Sequence, residues 1–284
     1  MMSNIGIICD LTFDRHHLYK SYFYSVQNLY GDITEVKSAD DLEGIEILFV
    51  GDDHYIPHKE ILHKDGFIDR INVDGIKVVV FTNERIFDSH FPWNVDNYKK
   101  ISTIKNLYHY TIDVDDCKKL GTKVWRTAPS ISFLPFISSL YKNKIDAAVF
   151  IGKANRQCRS YNERSKILQT AVIPIVRYKP VFSTWSKYMR MLSKYRFVFS
   201  PIGNGNFFTM RFYEALAVGS IPIHQVRKDT LKYYDIEATF KDCIFFEHPE
   251  EVEEKVKCFK EQNSKNVIWM EDWMKVELID DGLL

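Results

Sequence analysis

Residues 194–224 constrain the possible fold most strongly, because their pattern changes from strand to helix and back to strand. Residues 195–200 alternate as a strand does and are rich in β-forming side chains. Residues 201–206 contain proline, glycine and asparagine, which interrupt regular structure. Apolar residues then recur at helical spacing until Gly219, and residues 221–223 resemble a further short strand. The sequence therefore predicts a strand, a glycine loop, a helix and a second strand.

A glycine loop that opens a helix is suited to binding an anion. Glycine lets a ligand approach the backbone, and the first N–H groups of a helix lie at the positive end of its dipole. Arg211 falls within the first turns of the predicted helix and could add a bidentate contact to a phosphate. Glu214 lies three positions further along the same face, where it could accept hydrogen bonds from sugar hydroxyls. The alternative is a simple turn followed by an exposed ion pair.

The motif that carries a family resemblance is Phe-Ser-Pro-x-Gly-Asn-Gly, followed by Arg-Phe-x-Glu-Ala-Leu-Ala-x-Gly-x-Ile-Pro-Ile. It resembles the donor-site signature of the exostosin-like glycosyltransferases and, more loosely, that of the α1,3-fucosyltransferases. The resemblance implies the GT-B fold, an α/β architecture in which two Rossmann-like, doubly wound domains face a central cleft. In that family the glycine loop lies beside the nucleotide diphosphate, the arginine faces the phosphates and the glutamate faces the ribose. The resemblance thus implies donor contacts for Ser200, Gly203, Asn204, Gly205, Arg211 and Glu214.

The charge balance limits the kinds of partner, and the cysteines limit the kinds of metal site. With 38 basic and 38 acidic residues, the protein has no net charge that would attract nucleic acid or an anionic membrane. The five cysteines are an odd number without a Cys-x-x-Cys pair, which favours reduced thiols and argues against a zinc site. The sequence shows neither a signal peptide nor an apolar run long enough to span a membrane. We therefore expect a soluble, cytoplasmic protein. Animal exostosins and fucosyltransferases are typically Golgi proteins with a membrane anchor, so compared with these families the chain looks like a compact catalytic core of bacterial or viral type.

Strand and helix patterns alternate along the chain, which indicates doubly wound parallel sheets. The first series occupies residues 1–143, although its pattern is weak over residues 91–141, and the second occupies residues 144–262. The resemblance implies that the first domain binds the acceptor and that the second binds the nucleotide sugar. Residues 263–284 contain an amphipathic segment that corresponds to the C-terminal helix of GT-B enzymes, which crosses back to the first domain.

Candidate general bases follow the strands of the first domain, because ligands of a doubly wound sheet bind beyond the carboxyl ends of its strands. Asp53 and Glu84 each come after a predicted strand, and Glu84 resembles a glutamate at a comparable place in the fucosyltransferases. We favour these two as the group that deprotonates the acceptor hydroxyl, with Asp14 and His54 next in order. Each acid could instead cap a helix or lie at the surface.

Two further groups of candidates lie in the second domain. Arg156 and Arg164 belong to a basic turn after a strand, where related glycosyltransferases carry an arginine directed at the donor phosphates. Arg164 fits that spacing better than Arg156, and the alternative is a solvated basic loop. His224, at the end of the strand that starts at residue 221, could line the nucleobase or donor pocket or could simply pack there.

A second carboxylate motif defines a different class of enzyme. Asp113-Val-Asp115 has the Asp-x-Asp spacing that binds a metal in GT-A transferases. That motif should end an apolar strand, whereas here it follows a polar and aromatic stretch. We therefore interpret Asp113 and Asp115 as the cap of a helix, with a metal-dependent GT-A transferase as the alternative.

The resemblance and the predicted anion site together indicate a glycosyltransferase that moves a sugar from a nucleotide diphosphate to a glycan hydroxyl. The favoured donors are UDP-sugars such as UDP-xylose, UDP-GlcNAc or UDP-glucuronate, and GDP-fucose is a second option. The predicted mechanism is inverting and uses neither a metal nor another cofactor, because the helix dipole and Arg211 would neutralise the leaving diphosphate. The alternative from another class is a module that binds a nucleotide or phosphate ligand without catalysing transfer.

Overall fold

The structure is a computed structural model that describes residues 4–9, 17–52, 59–62, 64–82, 85–87, 93–140, 142–152, 164–165, 168, 175–178, 184–202, 205, 208–227, 230–231, 233, 240, 242–260 and 267–284. Its internal contacts divide the chain into two compact units. Unit 1 comprises Met1–Arg126, Ser130–Ser132 and Met270–Leu284. Unit 2 comprises Thr127–Pro129 and Phe133–Trp269.

The division between the units falls earlier in the chain than the expected boundary between residues 143 and 144. Phe133 and Phe136 already belong to unit 2, because their rings pack against Trp185 with centroid distances of 4.8 and 5.8 Å. The aromatic residues in this part of the sequence show no clear period, so their packing partner was not apparent from the pattern.

Unit 1 contains a parallel sheet in which six described strands have the order β2-β1-β3-β4-β5-β6. Its central strands are continuous apolar runs, since residues on both faces are buried. Val78 and Val80 face a cluster that includes Phe67 and Ile71, while Phe81 lies on the opposite face. The strands are β1 (Ile5–Ile8), β2 (Ile33–Glu35), β3 (Ile47–Asp52), β4 (Lys77–Thr82), β5 (Leu107–Thr111) and β6 (Lys123–Val124).

Helices pack on both faces of this sheet. Tyr22 of the first helix and Trp273 of the C-terminal helix contact Phe81, with ring centroids 4.9 and 5.8 Å away. The buried carboxylate of Glu271 accepts hydrogen bonds from Asn28 and from the backbone of Ile131, which ties the C-terminal helix into unit 1. The helices of unit 1 are α1 (His17–Tyr30), α2 (Lys59–Leu62), α3 (Phe67–Asp74), α4 (Trp93–Ile101), α5 (Val114–Leu120) and, at the C-terminus, α10 (Met270–Asp280).

Unit 2 contains a second parallel sheet, with five described strands in the order β11-β10-β9-β7-β8. One face carries Val149 and Val198 against three helices, and the other carries Phe150 and Phe197 against Val252. The strands are β7 (Ile145–Ile151), β8 (Ile175–Tyr178), β9 (Tyr195–Ser200), β10 (Ile221–Gln225) and β11 (Ile244–Phe246). The helices are α6 (Leu134–Ser138), α7 (Trp185–Leu192), α8 (Met210–Ala217) and α9 (Val252–Cys258). Short 3-10 turns occur at Ala39–Leu42, Ile131–Phe133 and Pro249–Glu251.

Both sheets have the same strand order when each is numbered from its own first strand. In unit 1 the first strand, β1, lies between β2 and β3, and in unit 2 the first strand, β7, lies between β8 and β9. In each sheet the chain therefore passes from the first strand to a neighbour on one side and then to a neighbour on the other side. The direction changes between β1 and β3 in unit 1 and between β7 and β9 in unit 2. In open α/β sheets a ligand binds beyond the carboxyl ends of the strands at such a switch point. The predicted class, an α/β protein with two Rossmann-like doubly wound units, is confirmed.

Element boundaries differ locally from the sequence pattern. The sequence pattern of residues 57–71 predicts a single helix, whereas the structure has two there, with α2 ending at Leu62 and α3 starting at Phe67. Gly66 separates the two with φ 78°, a left-handed conformation that glycine adopts without strain. None of the helices in the described part of the chain has the length and hydrophobicity needed to cross a bilayer.

Candidate functional site

The switch point of unit 2 brings together most of the described donor-site candidates. β7 ends at Ile151 and is followed by Gly152, while β9 ends at Ser200 and leads through residues 201–209 into α8. The strand, loop, helix and strand predicted for residues 194–224 are thus β9, the loop, α8 and β10. Gly205 is buried in this loop. Gly203 and Asn204, which carry the predicted diphosphate contacts, lie outside the described residues.

Helix α8 starts without a side-chain cap. Its N-cap residue, Thr209, makes no capping hydrogen bond, because the Thr209 hydroxyl is 2.8 Å from the hydroxyl of Ser200. The Phe212 N–H donates to the Thr209 carbonyl at 2.9 Å and closes the first turn. The N–H groups ahead of it are those that a helix N-terminus offers to an anion, at the positive end of the dipole.

The guanidinium of Arg211 lies at the end of β7. Its Nη2 donates to the carbonyl of Ile151 at 2.5 Å, and its central carbon lies 5.3 Å from the ring centroid of Phe150. Its Nε is buried and has no hydrogen-bond partner within the described part of the chain. An unsatisfied buried donor on a guanidinium is costly, so a ligand acceptor that reached Nε would gain a charge-assisted hydrogen bond.

Gly152 makes room for this guanidinium. A Cβ at position 152 would lie 3.2 Å from Arg211 Nη2 and 2.9 Å from Cζ of Phe150. The second distance is shorter than side chains tolerate, so any larger residue would displace the ring, the guanidinium or both. Because Gly152 has no side chain, the Arg211 guanidinium can lie close to the backbone at the end of β7.

The carboxylate of Glu214 is 6% exposed and is held by two side chains of α7. Trp185 Nε1 donates to Oε1 and the Tyr188 hydroxyl donates to Oε2, both at 2.9 Å. Burial raises the pKa of Glu214, while these two hydrogen bonds and the charge of Arg211 act in the opposite direction. The resemblance assigns a ribose contact to Glu214, and in this structure both of its oxygens already accept hydrogen bonds inside unit 2. That ribose contact stays a prediction.

His224 is fully buried beside Ser200. Its Nδ1 is 2.6 Å from the Ser200 carbonyl, which can only accept, so Nδ1 carries the proton. Burial lowers the pKa of His224 to about 3, and the imidazole is neutral at pH 7. The rings of Phe208 and Phe212 enclose it at centroid distances of 4.6 and 5.0 Å. Together with the Ser200–Thr209 contact, this histidine fixes both ends of the loop at residues 201–209.

Arg164 lies against the start of the same loop. Its Nε donates to the carbonyl of Ile202 at 3.1 Å, and the side chain is half-buried. Arg164 is therefore a second cation near the carboxyl end of β9. Arg156, the other arginine of the predicted basic turn, lies outside the described residues.

The two favoured general bases, Asp53 and Glu84, also lie outside the described residues. Asp53 directly follows β3, which borders the β1/β3 switch point, and Glu84 comes two positions after the end of β4. The backbone that follows Glu84 is held by Asp116, a fully buried carboxylate that accepts a hydrogen bond from the Ile86 N–H at 2.5 Å. Burial raises the pKa of Asp116 to about 6.

The Asp-x-Asp pair starts helix α5. The Asp113 carboxylate accepts hydrogen bonds from the N–H groups of Asp115 and Asp116 at 2.9 and 3.1 Å, so the predicted helix cap is confirmed. Arg85 lies 3.8 Å from the carboxylate of Asp113 and 3.5 Å from that of Asp115. Among the residues that the structure describes, no cluster of three histidine, cysteine or acidic side chains is arranged to hold a metal.

Sequence reasoning placed Gly152 at the start of the basic turn without giving it a role, and it missed Trp185 and Tyr188, the two side chains that hold Glu214. The sequence signal for Gly152 is its position, because it directly follows an apolar strand and begins the predicted basic turn. Trp185 and Tyr188 lie three positions apart on α7 and precede Glu214 by 29 and 26 positions. No local spacing links residues that far apart, so only the packing of α7 on α8 reveals them.

No protein-family model and no curated protein matches the sequence. Among solved structures, the chain is similar to the spinosyn forosaminyltransferase SpnP, at 9% identity and a TM-score of 0.43 over 100% of both chains. It is similar to the E. coli heptosyltransferase WaaC with ADP, at 10% identity and a TM-score of 0.33 over 100% of both chains. It is also similar to an NAD+-bound 3-phosphoglycerate dehydrogenase in Entamoeba histolytica, at 10% identity and a TM-score of 0.30 over 99% of this chain and 96% of that chain. The fold assignment rests on the strand order of the two sheets rather than on these likenesses.

Proposed function

We propose that the protein is a glycosyltransferase that uses a nucleotide diphosphate sugar as its donor. The observation that carries the proposal is the position of Arg211, whose guanidinium lies at the β7/β9 switch point of unit 2. The helix that carries Arg211 starts there without a side-chain cap, and a phosphate is the natural guest of such a helix start. The sequence signature over residues 194–224 supports a sugar nucleotide over other phosphate ligands.

In this proposal the donor diphosphate lies at the start of α8. The first N–H groups of the helix and the free Nε of Arg211 would bind its oxygens, and Arg164 adds positive charge near the carboxyl end of β9. These groups would stabilise the charge that develops on the leaving diphosphate as the glycosidic bond breaks. The carboxylates of Asp113 and Asp115 lie near Arg85 and the start of α5, which supports a reaction that does not depend on a metal.

The acceptor hydroxyl must lose its proton as it attacks the donor sugar. In an inverting reaction a carboxylate of unit 1 would accept that proton, and Asp53 and Glu84 are the favoured candidates. Asp53 follows β3, which borders the switch point of the unit 1 sheet. UDP-sugars remain the favoured donors and GDP-fucose the second option, with a glycan hydroxyl as the acceptor.

The proposal is tested by nucleotide titration calorimetry with UDP, GDP and ADP, followed by donor hydrolysis and transfer assays in the presence of EDTA. We expect a folded Arg211→Ala variant to lose about tenfold or more in nucleotide affinity and to lose transfer activity, because a hydrogen-bonded guanidinium typically contributes 1.5 kcal/mol or more. Arg190→Ala is the matched control, since Arg190 is an exposed arginine of α7.

Each outcome of this test has a clear meaning. Normal nucleotide binding by Arg211→Ala would contradict the assignment of the donor site. Nucleotide binding without hydrolysis or transfer of any donor would indicate the binding module instead. Activity that is lost in EDTA and restored by manganese would favour the GT-A alternative.

A further inference from the structure

Arg211 and Glu214 form a partly buried pair of opposite charges on the first turns of α8. They are three positions apart, so they lie on neighbouring parts of the same helix face. The Glu214 carboxylate is nearly inaccessible, and the Arg211 guanidinium reaches the end of β7. A buried charge must be matched by a partner in good geometry, or it becomes costly. The groups that fix this geometry therefore determine where the guanidinium can point.

The hydroxyl of Tyr188 contacts Glu214 and also interacts with Arg211. It donates to Glu214 Oε2 at 2.9 Å. Burial and the charge of Glu214 raise the pKa of Tyr188. The charge of Arg211 and its hydrogen bonding act in the opposite direction. A phenol can donate one hydrogen bond and accept another, so this hydroxyl is suited to bridge a carboxylate and a guanidinium.

Trp185 donates a hydrogen bond to the other oxygen of the Glu214 carboxylate, and its ring lies among aromatic side chains. Its Nε1 donates to Glu214 Oε1 at 2.9 Å, and its ring packs against Phe133 and Phe136. The indole thus connects Glu214 to the rings of Phe133 and Phe136. The two hydrogen bonds have the same length and the same acceptor group, which makes Trp185 a matched comparison for Tyr188.

We propose that Tyr188 is a positioning residue of the donor site, whose hydroxyl bridges Glu214 and Arg211 and so orients the guanidinium toward the donor phosphates. This inference rests on the proposed function. Tyr188 touches neither the ligand nor the reacting atoms in this account. Its effect reaches the phosphates through Arg211 alone, whereas Trp185 stabilises the packing of α7 on α8.

The test compares Tyr188→Phe with Trp185→Phe, each of which removes one hydrogen bond to Glu214 and keeps an aromatic ring. The probe is whichever of UDP, GDP and ADP binds the parent protein most tightly, titrated beside its nucleoside. We expect Tyr188→Phe to weaken diphosphate binding about tenfold, the size of one charge-assisted hydrogen bond, and to leave nucleoside binding unchanged. Trp185→Phe should lower the melting temperature at least as much, without this selective loss of diphosphate affinity.

A double-mutant cycle separates positioning from general destabilisation. In an Arg211→Ala background, Tyr188→Phe should cause no further loss of diphosphate affinity, because the group that it orients is gone. Should Tyr188→Phe fail to fold, Glu214→Gln removes the charge that the same hydroxyl contacts and keeps the side-chain volume. The cycle is then run with that variant, and only a loss of diphosphate affinity beyond any loss of nucleoside affinity counts, because Glu214 also has a predicted ribose contact.

The outcomes distinguish this inference from the proposed function. Unchanged diphosphate affinity in Tyr188→Phe, or losses that add in the double variant, would overturn the positioning role while leaving the donor site intact. A parent protein that binds none of the three nucleotides and no inorganic pyrophosphate would overturn the anion site, and the role of Tyr188 with it.

Discussion

At position 152, an added methyl group would lie only 2.9 Å from the ring of Phe150 and 3.2 Å from the guanidinium of Arg211. We expect Gly152→Ala to displace the guanidinium and to weaken nucleotide binding about five- to tenfold, roughly 1 to 1.4 kcal/mol. The melting temperature should fall as well, because the ring of Phe150 is buried in the core of unit 2 and would have to move. Calorimetry and thermal melts measure the two effects.

Gly51→Ala is the control for this change. Gly51 lies in β3 of unit 1, and a Cβ there would meet Tyr22 at an ordinary contact distance of 3.5 Å. It should leave nucleotide affinity unaltered. Equal affinity in Gly152→Ala and the parent would show that Arg211 reaches its ligand independently of this glycine.

At the scale of elements, Lys144 joins the ends of α7 and α8, the two helices that carry the residues of the proposed donor site. Its Nζ donates to the carbonyl of Ser193 after α7 and to the carbonyl of Val218 after α8, each at 2.9 Å. It also donates to the Ser220 hydroxyl at 3.1 Å. A cation is favourable at helix C-termini, where carbonyl groups lack helical partners. Burial lowers the pKa of Lys144 to about 8, and most of these side chains remain charged at pH 7.

Lys144→Met should therefore destabilise the packing of α7 and α8. We expect the free energy of unfolding to fall by about 2 kcal/mol, because two carbonyls and one hydroxyl lose their donor at once. Urea unfolding followed by circular dichroism measures the change. Lys142→Met serves as the control, since Lys142 is exposed. Equal stability of the two variants would mean that the three contacts of Lys144 contribute nothing measurable.

At the scale of the whole molecule, we propose that unit 2 binds the nucleotide and that unit 1 supplies the general base. Asp53→Asn or Glu84→Gln should then lower turnover by about 10²- to 10⁴-fold, the usual contribution of a general base. Nucleotide affinity should stay near that of the parent, because the phosphate contacts belong to the other unit. Steady-state kinetics and calorimetry on both variants test this separation.

The stereochemistry of the product provides an independent check on the base. Inversion at the anomeric carbon, read by NMR, agrees with a single displacement that needs such a carboxylate. Retention would remove that need. Parent-level turnover in both variants would move the search to Asp14 and His54.

Periodicity and residue type along the chain were sufficient to predict the local elements around the site. The alternation in β9, the breakers of the following loop and the helical spacing in α8 each depend on neighbours a few positions apart. The same holds for the cap at Asp113, whose hydrogen bonds reach only two and three positions ahead. The doubly wound class followed from the alternation of strands and helices over the whole chain.

The tertiary structure alone decided the strand order, and with it the positions of the two switch points. It also decided the environment of the charged pair, because Arg211 meets the carbonyl of a residue 60 positions earlier and Glu214 meets side chains 26 and 29 positions earlier. Hydrophobic patterning specifies which face of a helix is buried, but not which helix packs against it. Trp185 and Tyr188 became part of the site only because α7 and α8 share one face of the unit 2 sheet.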